Sequence, residues 1–293
     1  MGLYHSDLYF TNSKSVIAPM KKLILTLCCL AIMVPNSWDL FGQGRHTALY
    51  SYTERNAMTG KVTNDIIRLN SEKGYFSCVS ENTYQKKLVQ DSLVQTGLDP
   101  YTIVAMTRDM ARGQSTRIFT DLASNTRTVY EFPMTQIHYE ESLPAVTWEL
   151  SDEVKEVNGI PSKQARGKLY GREWIVSYAT DVPLPVGPWK LTGLPGLVTE
   201  AVTTDSLYHF TLISFALTPD DERPILPSPS SASSPSKKQS KKEVLNALHQ
   251  YATNNRAWLK KLYPMSSQPE ETPEDLRRMA LARKSYQYIE RAE

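Results

Sequence analysis

Short runs of alternating apolar and polar residues, broken by turn residues, extend from about residue 45 to residue 217. In 47–52 the side chains of Ala48, Tyr50 and Tyr52 fall on one face, the period-two pattern of a half-buried strand. Shorter β-prone runs at 66–69, 75–79 and 102–106 read as further strands. Residues 117–120 and 126–132 flank an Asp/Ser/Asn turn at 121–125 and predict a hairpin. Residues 146–150 alternate again, and 164–169 with 174–178 predict a second hairpin around Gly171. Runs at 197–202 and 208–217 complete the set, while 81–93 fits either a short helix or an extended edge. Many short strands without intervening helices predict a predominantly β fold over 45–218. One curved antiparallel sheet, an open half-barrel, would wrap the core.

The pattern then changes. Residues 219–242 are rich in serine and proline with almost nothing to bury, the composition of a disordered connector. Lys237, Lys238, Lys241 and Lys242 end it, and are read as a solvated linker end in preference to a contact for anionic groups. Residues 243–293 read as helical. Val244, Leu245, Leu248, Tyr251, Trp258, Leu259 and Leu262 recur mostly at three- and four-residue spacing, as one helix stopped by Pro264. A second helix starts at Thr272-Pro273-Glu274-Asp275: a capping residue, proline in the first turn, and acids at the positive end of the dipole.

Met20-Lys21-Lys22 followed by apolar residues 23–34 has the form of an export signal over 20–44. Met20 is then the true start, and 1–19 an upstream extension. The apolar run is too short to span a bilayer, which takes about 20 residues, so no transmembrane anchor is expected after cleavage. Leu27 before Cys28, and the short apolar run ahead of it, argue against lipidation. Cleavage leaves Cys78 as a single thiol, read as a small buried apolar residue. A net charge of +2 gives no argument for nucleic acid. Sixteen tyrosines against seven phenylalanines suit half-buried sheet faces, where an apolar ring carries a polar tip.

Residues 187–200 combine glycines, prolines and a tryptophan in a shaped loop that leads into a strand. Together with Trp148, the run 154–157, Gly159, Ala165, Gly171-Arg172 and Trp174, the loop residues Gly187-Pro188-Trp189-Lys190 and Gly193-Leu194-Pro195-Gly196-Leu197 resemble the GLPGLI family of exported bacterial proteins. The firm match covers about 146–202. The chain departs from the family pattern at Ser162, where a cysteine is common, and at Leu197-Val198, which ends the motif. The resemblance implies export into a Gram-negative envelope, to the periplasm or the outer membrane, and leaves the biochemical role undefined.

From the residues alone, the loop is read as a structural corner in preference to a binding lip. Trp174 and Trp189 are expected to stack against it, and Arg172 to anchor its carbonyls in preference to an acidic ligand. No nucleophile elbow, paired-histidine zinc motif, phosphate loop or dinucleotide fingerprint occurs, and no cofactor or metal is expected. The histidines stand singly, and the patch 138–141 reads as a polar surface turn. The favoured function is therefore non-catalytic binding of an envelope ligand, apolar or peptide, or of an outer-membrane protein. A secreted hydrolase using paired carboxylates and a purely structural envelope part are the alternatives.

Overall fold

The computed structural model describes residues 44–218, 236–265, 267 and 270–291. The upstream extension, almost all of the expected signal segment, and 219–235 of the connector lie outside the described residues. The chain runs β1 (His46–Arg55), β2 (Val62–Glu72), β3 (Tyr75–Ser80), helix α1 (Glu81–Gln95), helix α2 (Pro100–Met106), β4 (Arg117–Asp121), β5 (Thr126–Glu131) and β6 (Ile137–Ser142). Then follow β7 (Trp148–Val157), β8 (Ile160–Leu169), β9 (Arg172–Ala179), β10 (Leu197–Thr203), β11 (Tyr208–Leu217) and β12 (Lys237–Lys238). Helices α3 (Lys241–Thr253), α4 (Asn255–Leu262) and α5 (Pro273–Ser285) end the described chain.

All of these strands join one sheet in the order β12-β6-β5-β4-β3-β2-β1-β11-β10-β9-β8-β7. Its pairings are antiparallel except β12 beside β6, which is parallel. The sheet is open, with β12 and β7 at its two edges. It is also strongly curled. Eight steps separate β6 from β9, which in a flat sheet is roughly 40 Å at the usual strand spacing. Yet Tyr170, in the turn joining β8 to β9, donates from its hydroxyl to Glu141 on β6 at 2.6 Å. The two halves of the sheet must therefore face each other across the core.

The inner face carries the alternation expected of it. Ala48, Tyr50 and Tyr52 of β1 are all buried, and so are Val129, Tyr139, Trp174, Val176, Phe210 and Leu212. Tyrosine suits this interior because the ring fills space while the hydroxyl finds an acceptor; Tyr50, fully buried, donates to the Val198 carbonyl at 2.8 Å. Helix α3 lays Val244 and Ala247 against the core, and Trp258 of α4 donates to the Pro133 carbonyl at 2.7 Å.

Several local expectations change. Residues 102–106 form helix α2 instead of a strand: Asp99 accepts from the amides of Tyr101 and Thr102, and Pro100 occupies the first turn. That cap outweighs the β-branched Thr102-Ile103-Val104 run. The ambiguous 81–93 is helix α1, so two helices interrupt the strands. The single helix expected up to Pro264 is two helices, α3 and α4, because the Asn254 side chain caps the amide of Ala257 and restarts the turn. Strand β7 begins at Trp148 and continues to Val157, well beyond the 146–150 run. Residues 138–141 are not a surface turn but part of β6, with Tyr139 pointing into the core. At the described end of the connector, Lys237 and Lys238 pair with β6, and a reciprocal Ser240–Glu243 capping box starts α3. Among the described residues no helix is long and apolar enough to cross a membrane.

Candidate functional site

The glycine- and proline-rich segment after β9 folds inward. Gly187 donates to Leu191 at 2.8 Å and Leu191 to Pro188 at 3.3 Å, so the chain doubles back at Trp189-Lys190. Gly196 has no room for a side chain: a Cβ there would lie 2.0 Å from the carbonyl oxygen of Ala179 on β9. At Gly187 a Cβ would lie 2.5 Å from that of Val198. Close backbone approach is thus the reason for both glycines. Pro188, Leu194 and Leu197 are buried, while Gly193 and Pro195 reach solvent.

Tryptophans fix this segment on both sides. Trp148 lies across Gly167 and donates to the Thr192 carbonyl at 3.1 Å. Trp189 stacks on Trp174 with centroids 5.6 Å apart and meets Tyr170 edge-on at 5.4 Å. Its amide donates to the Cys78 sulfur on β3 at 3.1 Å. Arg172 does not hold this loop. Its guanidinium donates to the carbonyls of Ile289 (2.6 Å) and Tyr288 (2.9 Å) and to Asp205 (2.8 Å), tying down the segment after α5. Gly171, in the turn just before Arg172, lies against Arg291 of the same segment.

Lys190, next to Trp189, is almost completely buried. Its ammonium group donates to the Tyr139 hydroxyl and contacts Glu141 and Glu290, each at 2.8 Å. Arg127 on β5 donates to the Tyr170 hydroxyl (2.9 Å) and to the Lys190 carbonyl (3.1 Å). Lys241, at the start of α3, pairs with Glu141 at 3.0 Å and also with Glu290. Burial works to raise the Glu141 carboxyl, but the charge and hydrogen bond of Lys190, with Tyr170 and Lys241, overcome it and hold the pKa at about 2. Burial likewise lowers Lys190, against the pull of Glu290 and Glu141. Such a network is saturated: each cation already has its carboxylates, and it locks β5, β6, the loop, α3 and the C-terminal segment together.

A cavity of about 260 Å³ opens beside this network, where the sheet's inner face, the loop and the C-terminal segment meet. Tyr52, Trp189, Phe210 and Tyr288 give it aromatic walls, and Ile67, Ile118 and Leu248 add apolar surface. The exposed Ser115 marks its mouth. Glu54 and Glu131 also line it, whereas among the described residues no Lys, Arg or His does. Glu131 accepts from the Tyr288 hydroxyl at 2.7 Å and from Thr116 at 3.0 Å. Burial drives its pKa up to about 7, even though these bonds and the Lys190 charge pull it down. Burial also raises Glu54, opposed by the Tyr52 hydroxyl at 3.0 Å and the charge of Arg172. Cys78 faces the cavity as well, but burial pushes its thiol up to about 12, so it stays protonated and is no nucleophile. Among the described residues no three His, Cys, Asp or Glu side chains gather to hold a metal ion.

Of the sequence-predicted residues, Trp189 lines the cavity, while Trp148, Gly171, Arg172, Trp174, Gly187, Pro188, Gly193, Leu194, Pro195, Gly196 and Leu197 do not. Glu54, Glu131, Glu141, Lys190, Glu290 and Tyr288 are additional members of the site. Alternation over 137–142 could have placed Tyr139 and Glu141 on one inner face; for the others only the folded chain brings the partners together.

No protein-family profile matches the chain, and no curated protein matches it. Among solved structures it is similar to PNGF-II in two crystal forms. One has a TM-score of 0.51 at 12% identity and covers 71% of this chain and 34% of PNGF-II. The other has a TM-score of 0.50 at 13% identity and covers 71% and 33%. The chain spans about a third of the length of those chains, and at this identity the likeness is one of fold alone.

Proposed function

We propose that this chain is an exported cell-envelope protein of the GLPGLI type that binds a small apolar or peptide group without transforming it. The supporting observation is the aromatic-walled cavity of about 260 Å³ between sheet, loop and C-terminal segment. Its volume is just below the roughly 300–1,000 Å³ of sites for drug-sized ligands. A single ring or one peptide side chain fits it; a whole lipid does not. Export rests on the signal-like segment 20–44, and the envelope location on the resemblance carried by 146–202.

A second reading, hydrolysis by paired carboxylates, is favoured by one observation: Glu54 and Glu131 line the same cavity, and burial raises both. Native mass spectrometry of residues 45–293, isolated gently from the envelope of its host, tests the binding reading. A reproducible added mass supports it, and a bare chain under the same conditions refutes it. If the Glu131→Gln variant accumulates an adduct that the wild type releases in cleaved form, hydrolysis replaces binding.

A further inference from the structure

We propose that the cavity receives a cationic group, a protonated amine or guanidinium on a short apolar stem, such as the end of a Lys or Arg side chain in a peptide. The inference rests on the binding reading above and adds the charge of the ligand. Three features of the cavity carry it.

The first is charge balance. Two carboxylates, Glu54 and Glu131, line the cavity, and among the described residues no basic side chain lines it with them. The cations of the neighbouring network and of the Arg172 anchor are engaged elsewhere. Lys190 and Lys241 are held by Glu141 and Glu290, Arg172 by Asp205 and two carbonyls, and Arg127 by Tyr170 and the Lys190 carbonyl. The lining therefore carries two acids and, among the described residues, no cation of its own; the charges of Lys190 and Arg172 reach Glu131 and Glu54 from outside it.

The second is the walls. Tyr52, Trp189, Phe210 and Tyr288 offer aromatic surface around the carboxylates. A cation over such faces gains about 0.5–1 kcal/mol at exposed sites and more when desolvated. The molecule already uses this contact inside its core, where the Lys190 ammonium stands 4.3 Å from the Tyr170 ring centroid.

The third is spare acceptor capacity. A carboxylate offers about four lone-pair sites. Glu131 receives the hydroxyls of Thr116 and Tyr288, and Glu54 that of Tyr52. An ammonium or guanidinium brings several donors and no acceptor, matching what remains. A carboxylate ligand would be repelled by both acids.

The pH dependence follows from the surroundings of the two acids. Facing Glu131 are the hydroxyls of Thr116 and Tyr288, the charges of Lys190 and Glu290, and Tyr139 and Tyr286; facing Glu54 are Tyr52, Tyr208 and Arg172. With Glu131 titrating at about 7, a cation favours the deprotonated form. Its affinity should rise about tenfold or more between pH 5.5 and 7.5.

The test is calorimetric titration of the folded chain from residue 45 with three aromatic probes of similar size: benzylammonium, benzyl alcohol and benzoate. Benzylammonium should bind at least tenfold more tightly than benzyl alcohol at pH 7.5, the gap should close at pH 5.5, and benzoate should not bind. Glu54→Gln and Glu131→Gln should each cost benzylammonium about tenfold and leave benzyl alcohol unchanged. Glu54 is only partly buried, so its variant keeps the test sound if Glu131→Gln fails to fold. Equal affinity for ammonium and alcohol would overturn the cationic preference while leaving the binding cavity standing. Absence of binding by any probe at millimolar concentration would overturn both.

Discussion

Glu131 makes the stability of this protein depend on pH in a direction opposite to that usual for acids. Its carboxyl is 1 % exposed and sits beside Thr116, Tyr288 and the Lys190 charge. Its pKa is raised from an ordinary 4.5 to about 7. The folded state therefore holds a proton that the unfolded chain has already released. Stability from this group is complete below pH 4.5, falls as pH rises from there, and levels off above about 7. The gap corresponds to about 3 kcal/mol at 1.36 kcal/mol per pKa unit. Glu141 acts in the other direction. Its pKa of about 2 lies below the ordinary 4.5, so its contribution is complete above 4.5 and is lost as pH falls towards 2. Together the two groups place a maximum near pH 4.5. Urea denaturation of wild type and Glu131→Gln at pH 4.5, 5.5, 6.5 and 7.5 isolates the first effect. The wild type should lose about 3 kcal/mol more than the variant across that range, equivalent to a melting shift of about 6–12 °C in a chain of this size. Parallel curves for the two proteins would show that Glu131 titrates as an ordinary carboxylate, and would refute the reasoning.

Other consequences can be checked by the same methods. Gly196→Ala forces a Cβ to within 2.0 Å of the Ala179 carbonyl oxygen; overpacking of this kind costs about 1–3 kcal/mol or more, so the melting temperature should fall by several degrees, and an unchanged value refutes the close-packed corner. Lys190→Met leaves Glu141 and Glu290 short of a cation and should cost about 3–5 kcal/mol in urea denaturation, with Glu290→Gln in the same chain restoring part of it. Cys78, protonated and 6 % exposed, should resist alkylation at pH 8 in the native protein and react at once in urea; equal rates would show that the β3 face is open.

Strands were legible where a period of two survives and Gly, Asn or Asp marks the turns, as at Ala48, Tyr50 and Tyr52 on β1 and the Gly171 hairpin; β2 and β3 bury consecutive residues and show no such period. Helix α2 was obscured by Thr102-Ile103-Val104, although its Asp99-Pro100 start was present in the sequence. The charge cluster was hidden for a different reason. Lys190 meets Glu290 across 100 residues of sequence, and no local pattern records such a meeting. Adjacent acids at 140 and 141 look solvated, yet alternation sends Glu140 outward and Glu141 inward. Arg172 was expected to bind the carbonyls of the loop, but the carbonyls it binds lie more than a hundred residues away, after α5.

The loop motif and the cavity divide the labour of this fold. Trp189 and Lys190 reach one half of the curled sheet through Trp174 and Tyr170, and the other through Cys78, Tyr139 and Glu141. A wedge with partners on both halves holds the curl of an open sheet that has no closing strand pair. The glycines and prolines around it serve that geometry, which is why most of them sit away from the cavity. The ligand chemistry we propose would be set elsewhere: by Glu54 at the end of β1, Glu131 at the end of β5, and Gln287 and Tyr288 on the C-terminal segment, which line the cavity. These positions are braced by the wedge without being part of it. Exchanging Glu54 and Glu131 for neutral residues should therefore change what the cavity accepts while the sheet keeps its shape, whereas altering the loop should dismantle both.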